Sequence, residues 1–132
     1  MKRLINLTFC FILLSTTGVV ASSSTTSSNS IFTKAEIAKY AIASIMNKNP
    51  DKIKVKKEAS IYKVYYLNDS RSNYINYKIK FNGNQIIWGN YDGRWRDTNY
   101  DEKIYYEESD NGTLKIIQKF RDGSSINDEF QK

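Results

Sequence analysis

The side chains best suited to recognition chemistry are concentrated in one short segment of this 132-residue sequence. Residues 88–96 carry two Trp and two Arg around an Asp-Gly turn, and the candidates there are Trp88, Tyr91, Arg94, Trp95 and Arg96. Trp and Arg often anchor protein interfaces, and Arg beside an aromatic ring can also stack on a sugar or a base. We interpret the segment as a recognition hairpin. The alternative interpretation places both Trp side chains in the core and both Arg side chains in water.

Tyrosine is the most abundant aromatic residue, with ten copies in the chain. Tyr62 and Tyr66 fall on one face of a predicted strand because strand side chains alternate between faces. An exposed Tyr adds contact area with little loss of side-chain entropy, so we count both as secondary candidates for the same interface. Ordinary cross-strand aromatic pairing is the alternative explanation.

Positive charge is concentrated in the first half of the chain. Residues 34–80 hold 11 Lys and Arg against 4 Asp and Glu, whereas residues 81–132 hold 7 against 10. The densest basic run consists of Lys48, Lys52, Lys54, Lys56 and Lys57. This run predicts, as an alternative function, binding to an anionic surface such as lipid head groups, polysaccharide or nucleic acid. The competing explanation is a strand edge that lysines keep soluble.

The composition excludes several kinds of catalysis. The chain has no His and a single cysteine, Cys10, which excludes a histidine base, Cys-His catalysis, an intramolecular disulfide and a Cys-rich zinc site. Asp101 and Glu107 could reach the spacing of a glycosidase carboxylate pair, but a small sheet offers little cleft for a sugar. We therefore expect a protein that is not an enzyme and holds no cofactor or metal.

The N-terminus has the three-part pattern of a signal peptide. Lys2 and Arg3 precede a mostly apolar stretch over residues 4–14, and Val19 and Ala21 fit a signal-peptidase site. The apolar stretch is about half the roughly 20 residues that a membrane-spanning helix needs. We predict that residues 1–21 are cleaved and that the mature protein is exported, either to the periplasm or into the medium. Residues 22–30 are all Ser, Thr or Asn, with no apolar residue among them. This composition predicts a flexible leader.

A single helix is predicted over residues 33–48. Thr33 and Glu36 have the spacing of a capping box, and Phe32 can pack on Ile37 as a hydrophobic staple. Apolar residues then recur every three or four positions, which predicts one buried face. Pro50 ends the helix.

The remainder predicts strands joined by tight turns. Four Asn-Gly or Asp-Gly pairs lie at residues 82–83, 92–93, 111–112 and 122–123, and such pairs favour hairpins. We place one of the strands at residues 94–96, directly after the second turn. The predicted fold class is α+β: one N-terminal amphipathic helix packed on a curved antiparallel meander of about five to six strands, forming a single domain over residues 31–132.

These observations together favour a small exported binding module that acts through a protein–protein interface. An inhibitor, an immunity-type protein or an accessory protein of the cell envelope would fit. A sheet that closes towards a barrel would also enclose a cavity and so permit a small-ligand role.

Overall fold

A computed structural model describes residues 30–70 and 72–132 of the chain. It contains a helix α1 (Lys34–Met46), a 3₁₀ turn (Pro50–Lys52) and seven strands. The strands are β1 (Lys54–Glu58), β2 (Ile61–Asn68), β3 (Asn73–Asn82), β4 (Gln85–Asn90), β5 (Lys103–Glu108), β6 (Thr113–Lys119) and β7 (Ser125–Gln131). The predicted signal peptide and residues 22–29 of the predicted leader lie outside the described residues.

Helix α1 begins at the predicted cap. The Thr33 hydroxyl accepts a hydrogen bond from the Glu36 amide at 3.1 Å, and the Glu36 carboxylate accepts one from the Thr33 amide at 3.4 Å. This confirms the capping box. The helix ends at Met46, two residues earlier than predicted, because Asn47 adopts the left-handed conformation (φ 52°) that commonly ends a helix. Over residues 30–70 and 72–132, no helix is long and apolar enough to cross a membrane.

The seven strands form one antiparallel sheet in which each strand pairs with the next along the chain. The predicted α+β class and the antiparallel meander are confirmed. The predicted number of five to six strands is wrong, because the sheet has seven: both edge segments, β1 and β7, pair with a neighbour over their full length although none of their side chains is fully buried. An edge strand gains backbone hydrogen bonds from one neighbour and can form with few buried side chains.

The predicted strand at Arg94–Arg96 is also wrong. Residues 91–102 form a loop between β4 and β5, and the Asp92–Gly93 turn does not join two strands. The loop folds back on β4: the Arg96 amide donates to the Trp88 carbonyl at 2.8 Å. Gly89 permits this approach, since a Cβ atom there would lie 2.3 Å from the Arg94 carbonyl oxygen.

The sheet has an inner face, which packs on α1, and an outer face, which the helix does not cover. The helix contacts β1, β2 and β6. In a flat sheet β2 and β6 would be about 19 Å apart, four strand spacings, which exceeds the 10–12 Å diameter of a helix. The sheet therefore curls around α1. The core between them is formed by buried side chains of both elements, among them Ile37, Ile42, Val64, Ile79, Ile86, Ile104, Leu114 and Ile116.

The segment before the helix, residues 30–32, is hydrogen-bonded to the last residue of β5. Glu108 of β5 accepts hydrogen bonds from the Ser30 hydroxyl at 2.7 Å and from the Ile31 and Phe32 amides at 3.0 and 3.2 Å. Phe32 and Ile37, the predicted staple, are both buried in the same core. Ser30, the last residue of the predicted leader, is therefore hydrogen-bonded to the domain.

Candidate functional site

Three of the aromatic interface candidates lie on the inner face of the sheet. Trp88 and Tyr66 are buried, with 8% and 5% of their surface exposed, and Tyr62 is half-buried. The Trp88 ring packs against Tyr77, with centroids 5.7 Å apart, and its indole N–H donates to Glu102 at 2.9 Å. Trp88 and Tyr66 therefore occupy core positions, whereas Tyr62 packs against the same core with part of its ring still exposed.

The two arginine candidates form ion pairs with carboxylates of the same loop, although the Arg94 side chain stays 60% exposed. Arg94 makes a two-fold contact with the Asp101 carboxylate, at 2.9 and 2.8 Å, and Arg96 contacts Glu102 at 3.2 and 2.8 Å. The Arg96 guanidinium also lies 5.0 Å from the centre of the Trp88 ring. Each planar guanidinium thereby meets a carboxylate in the geometry that gives the strongest ion pairs.

These contacts also decide the role of the carboxylates. Hydrogen bonds from Arg94, followed by those from Thr98, hold the pKa of Asp101 well below its usual range. Burial acts to raise the pKa of Glu102, but hydrogen bonds from Arg96 and Trp88 lower it overall. Asp101 therefore stabilises the loop through its hydrogen bonds to Arg94 and Thr98. Glu107, the other carboxylate of the pair considered above, lies exposed on β5.

Trp95 and Tyr91 are the two sequence candidates that lie on the outer face. The ammonium groups of Lys78 and Lys80 lie 4.6 and 4.4 Å from the centre of the Trp95 ring. The Tyr91 hydroxyl donates to Glu58 at 2.6 Å, and this bond raises the pKa of Tyr91. Both aromatic rings are half-buried, so the surrounding side chains fix their positions while one side stays open to solvent.

A second apolar group lies on the same face, at the end of β2 and β3. Leu67 and Tyr74 face each other across these strands and are 47% and 53% exposed. Tyr65 packs edge-to-face on Tyr74, with centroids 5.7 Å apart. We call Tyr65, Leu67, Tyr74, Tyr91 and Trp95 together the outer-face patch. Tyr65, Leu67 and Tyr74 are not among the sequence-based candidates, although strand alternation places Tyr65 and Tyr74 opposite the apolar face.

The predicted basic run does not form one surface. Lys48 and Lys57 lie over the inner-face rings of Tyr66 and Tyr62, at 5.3 and 6.0 Å, and Lys52 belongs to the 3₁₀ turn. Only Lys54 and Lys56 remain on the outer face, where strand alternation places them on β1. The run is divided because it spans a helix end, a turn and a strand whose side chains point alternately to the two faces.

Three lysines from different parts of the sequence meet instead. Lys56, Lys63 and Lys78 stand directly opposite one another on β1, β2 and β3, and we call them the lysine row. Among the described residues, none of the three lies within ion-pair distance of a carboxylate. Like charges opposed across strands destabilise a sheet, but two of these ammonium groups have other contacts: Lys63 lies 4.9 Å from the centre of the Tyr91 ring, and Lys78 donates to the Gly93 carbonyl at 2.5 Å.

The described residues contain no group of three or more His, Cys, Asp or Glu side chains placed to hold a metal ion. Comparisons of the chain with protein-family models, with curated proteins and with solved structures found no match. The proposals that follow therefore rest on the geometry of the chain itself.

Proposed function

We propose that this protein is a small exported, non-enzymatic binding module that contacts a protein partner through the outer-face patch. The observation that supports this proposal is the position of Trp95, an indole ring held on the uncovered face of the sheet by Lys78 and Lys80. An inhibitor, an immunity-type protein or an accessory protein of the cell envelope would bind its target in this way.

The composition of the patch favours a protein as the partner. Aromatic side chains are enriched at the centres of protein interfaces, and a few of them supply most of the binding energy. Leu67 and Tyr74 add exposed apolar surface beside them, and the largest contiguous apolar patch on a monomeric protein is often a functional site. A polysaccharide or a phosphate polymer offers few apolar groups to match Leu67, whereas a protein surface offers both apolar and acidic side chains.

Capture of the partner from the envelope and culture fractions would test the proposal. The full chain carries a C-terminal tag, and Trp95→Ala and Tyr74→Ala are compared with the natural sequence. Tyr100→Ala is the matched control, because Tyr100 is 74% exposed but lies outside the patch, against Arg121. We expect Trp95→Ala to weaken capture about 30-fold, the loss of about 2 kcal/mol typical of an interface hot spot. Equal capture by all four proteins, at unchanged thermal stability, would contradict the proposal.

The lysine row supports a second candidate function, binding of an anionic surface. The residues that would carry this binding are Lys56, Lys63 and Lys78, in place of the run from Lys48 to Lys57 that the sequence predicts. Binding driven by counterion release weakens steeply as the salt concentration rises. A protein interface centred on apolar side chains should depend far less on salt.

Two double variants with the same charge change separate these sources of binding. We compare Lys63→Gln/Lys78→Gln with Lys48→Gln/Lys52→Gln for binding to vesicles containing anionic phospholipid, at low salt and at about 0.5 M salt, where surface charges are largely screened. The lysine row predicts a loss only in the first pair. If only Lys48→Gln/Lys52→Gln loses vesicle binding, the run from Lys48 to Lys57 carries it. If the natural protein does not bind the vesicles at all, this candidate function is rejected.

Export is part of the proposal and has its own test. Cleavage after Ala21 would leave a mature chain that begins at Ser22 and has lost Lys2, Arg3 and Cys10. The intact mass of the protein recovered from outside the cytoplasm would therefore equal that of residues 22–132. Recovery of the full-length chain in the cytoplasm would contradict export.

A further inference from the structure

Three polar side chains interrupt the apolar inner surface between the helix and the last two strands. Ser44 of α1 and Gln118 of β6 are only 9% and 7% exposed. Asp128 of β7 lies directly opposite Ile116, a core residue of β6, and therefore also points to the inner face. Apolar residues would satisfy these positions at less cost, since a buried polar group must recover the hydrogen bonds it loses to water.

The hydrogen bonds among these residues all run towards the carboxylate. The Gln118 amide N–H donates to the Ser44 hydroxyl at 3.2 Å, and that hydroxyl donates to Asp128 Oδ2 at 2.5 Å. The Gln118 carbonyl oxygen and Asp128 Oδ1 receive no hydrogen bond from any described residue. Two acceptors therefore remain open here, and one belongs to a side chain that is more than nine-tenths buried. Gln118 and Asp128 both line the cleft described next, so a donor from outside the chain can reach these acceptors.

A cleft of about 490 Å³ opens beside this trio. Its volume falls in the range of small-molecule binding sites. Its apolar walls are Ile45, Phe120 and Ile126, and the Ile126 side chain is 49% exposed. Glu102 also lines the cleft, but its carboxylate is already bonded to Arg96 and Trp88. Asp128 is thus the carboxylate in the cleft that no described cation neutralises.

The end of the helix adds to the negative potential of the cleft. Ser44 and Asn47 both line it, which places the C-terminal end of α1 at its wall. A helix C-terminus carries about half a negative charge. The last turn of α1 contains no basic residue to compensate it.

We propose that this cleft binds an organic cation, a guanidinium or primary ammonium group on a short apolar stem. The charged head donates to Asp128 and to the Gln118 carbonyl oxygen, and the stem packs against Ile126 and Phe120. A free amine and the Arg or Lys side chain of a peptide share this chemistry. The cleft lies on the inner face, so the inference does not depend on the outer-face patch.

Titration with butylguanidinium and butylammonium, followed by proton NMR of the purified protein, tests the proposal. The Trp88 indole N–H is bonded to Glu102 in the cleft wall and reports on binding there. The Trp95 indole, on the outer face, is the internal control. We expect saturable shifts of the Trp88 signal alone, and n-butanol, of similar shape but uncharged, should cause none. A Gly-Arg-Gly peptide compared with butylguanidinium distinguishes a protein side chain from a free amine as the source of the cation.

Asp128→Asn should raise the dissociation constant of butylguanidinium at least about tenfold, because a hydrogen bond to a charged group is lost. Asp110→Asn, which removes an exposed carboxylate from a turn, should leave it unchanged. Ile126→Ala should weaken butylguanidinium more than methylguanidinium, and this contrast tests the proposal even if Asp128→Asn fails to fold. Equal binding of n-butanol, equal effects of both Asp variants, or no saturable shift with either cation would overturn the proposal.

Discussion

Gly89 is the position at which one methyl group should disturb the candidate surface most. The loop that carries Tyr91 and Trp95 lies against this glycine, and an added Cβ would be 2.3 Å from the Arg94 carbonyl oxygen. A comfortable contact needs about 3.5 Å. Gly89→Ala therefore requires the loop to move by about 1 Å, and the Arg94 carbonyl cannot rotate away as the end of a flexible side chain could.

The expected cost follows from the contacts that this movement changes. Overpacking in a fixed backbone costs about 1–3 kcal/mol. Weakening of the bond from the Arg96 amide to the Trp88 carbonyl adds about 0.5–1.5 kcal/mol. Alanine recovers about 0.4–1 kcal/mol by restricting the unfolded chain. The net loss is about 0.5–4 kcal/mol, which lowers the melting temperature of a domain of this size by at least about 2 °C.

Thermal unfolding and tryptophan emission together measure the effect of Gly89→Ala. Gly93→Ala is the matched control, because its Cβ would meet nothing closer than 3.3 Å in the same loop. We expect Gly89→Ala to lower the melting temperature, to shift the tryptophan emission, to which Trp88 and Trp95 both contribute, and to weaken partner capture. A melting temperature and an emission spectrum equal to those of Gly93→Ala would refute the argument that the loop rests on Gly89.

Three further outcomes follow from the core, the N-terminal segment and the loop. Ile79→Ala should lower the free energy of unfolding by about 2–5 kcal/mol in urea titrations, because this side chain is fully buried; a loss below about 1 kcal/mol would contradict its place in the core. Glu108→Ala should speed amide exchange at Ile31 and Phe32 at least about fivefold, since both amides lose a charged acceptor, and unchanged exchange would show that other contacts hold this segment. The pKa of Asp101 is lower in the folded chain than in the unfolded chain, so its stabilising contribution is complete above a pH of about 4 and is lost as the pH falls through the lowered value. Its carboxyl carbon signal should accordingly stay constant between about pH 6 and pH 3, and a midpoint near its ordinary pKa of about 3.9 would contradict the bonds to Arg94 and Thr98.

Local patterns predicted those parts of the fold that depend on neighbours in sequence. The cap at Thr33 requires only that Glu36 follow three residues later. Residues 75–81 alternate between apolar and polar types, and the strand there has the predicted buried face. The same alternation separated Tyr74 from Tyr77 correctly, since Tyr74 is exposed and Tyr77 is buried.

The candidate site was harder to predict because its residue types suit both a core and an interface. Trp88 and Trp95 are the same residue type, seven positions apart. Trp88 lies in a strand that faces α1, whereas Trp95 lies in a loop that crosses the opposite side of the sheet. The loop decides which of the two tryptophans is buried. Arg94 and Asp101 hold this loop together across seven residues, and no short sequence pattern specifies such a pair.

The amino-acid sequence by itself determined the helix and its cap, the alternation of the central strands, the antiparallel meander, and the absence of histidine and of cysteine beyond Cys10. Tertiary structure alone decided which lysines stand together and which polar side chains face the cleft. Lys56, Lys63 and Lys78 become neighbours only when three strands pair in register, and Ser44, Gln118 and Asp128 meet only when the sheet curls around the helix. The physical reason is that residue type and spacing govern local hydrogen bonds and periodicity, whereas long-range neighbours are set by strand register and by the packing of the whole core.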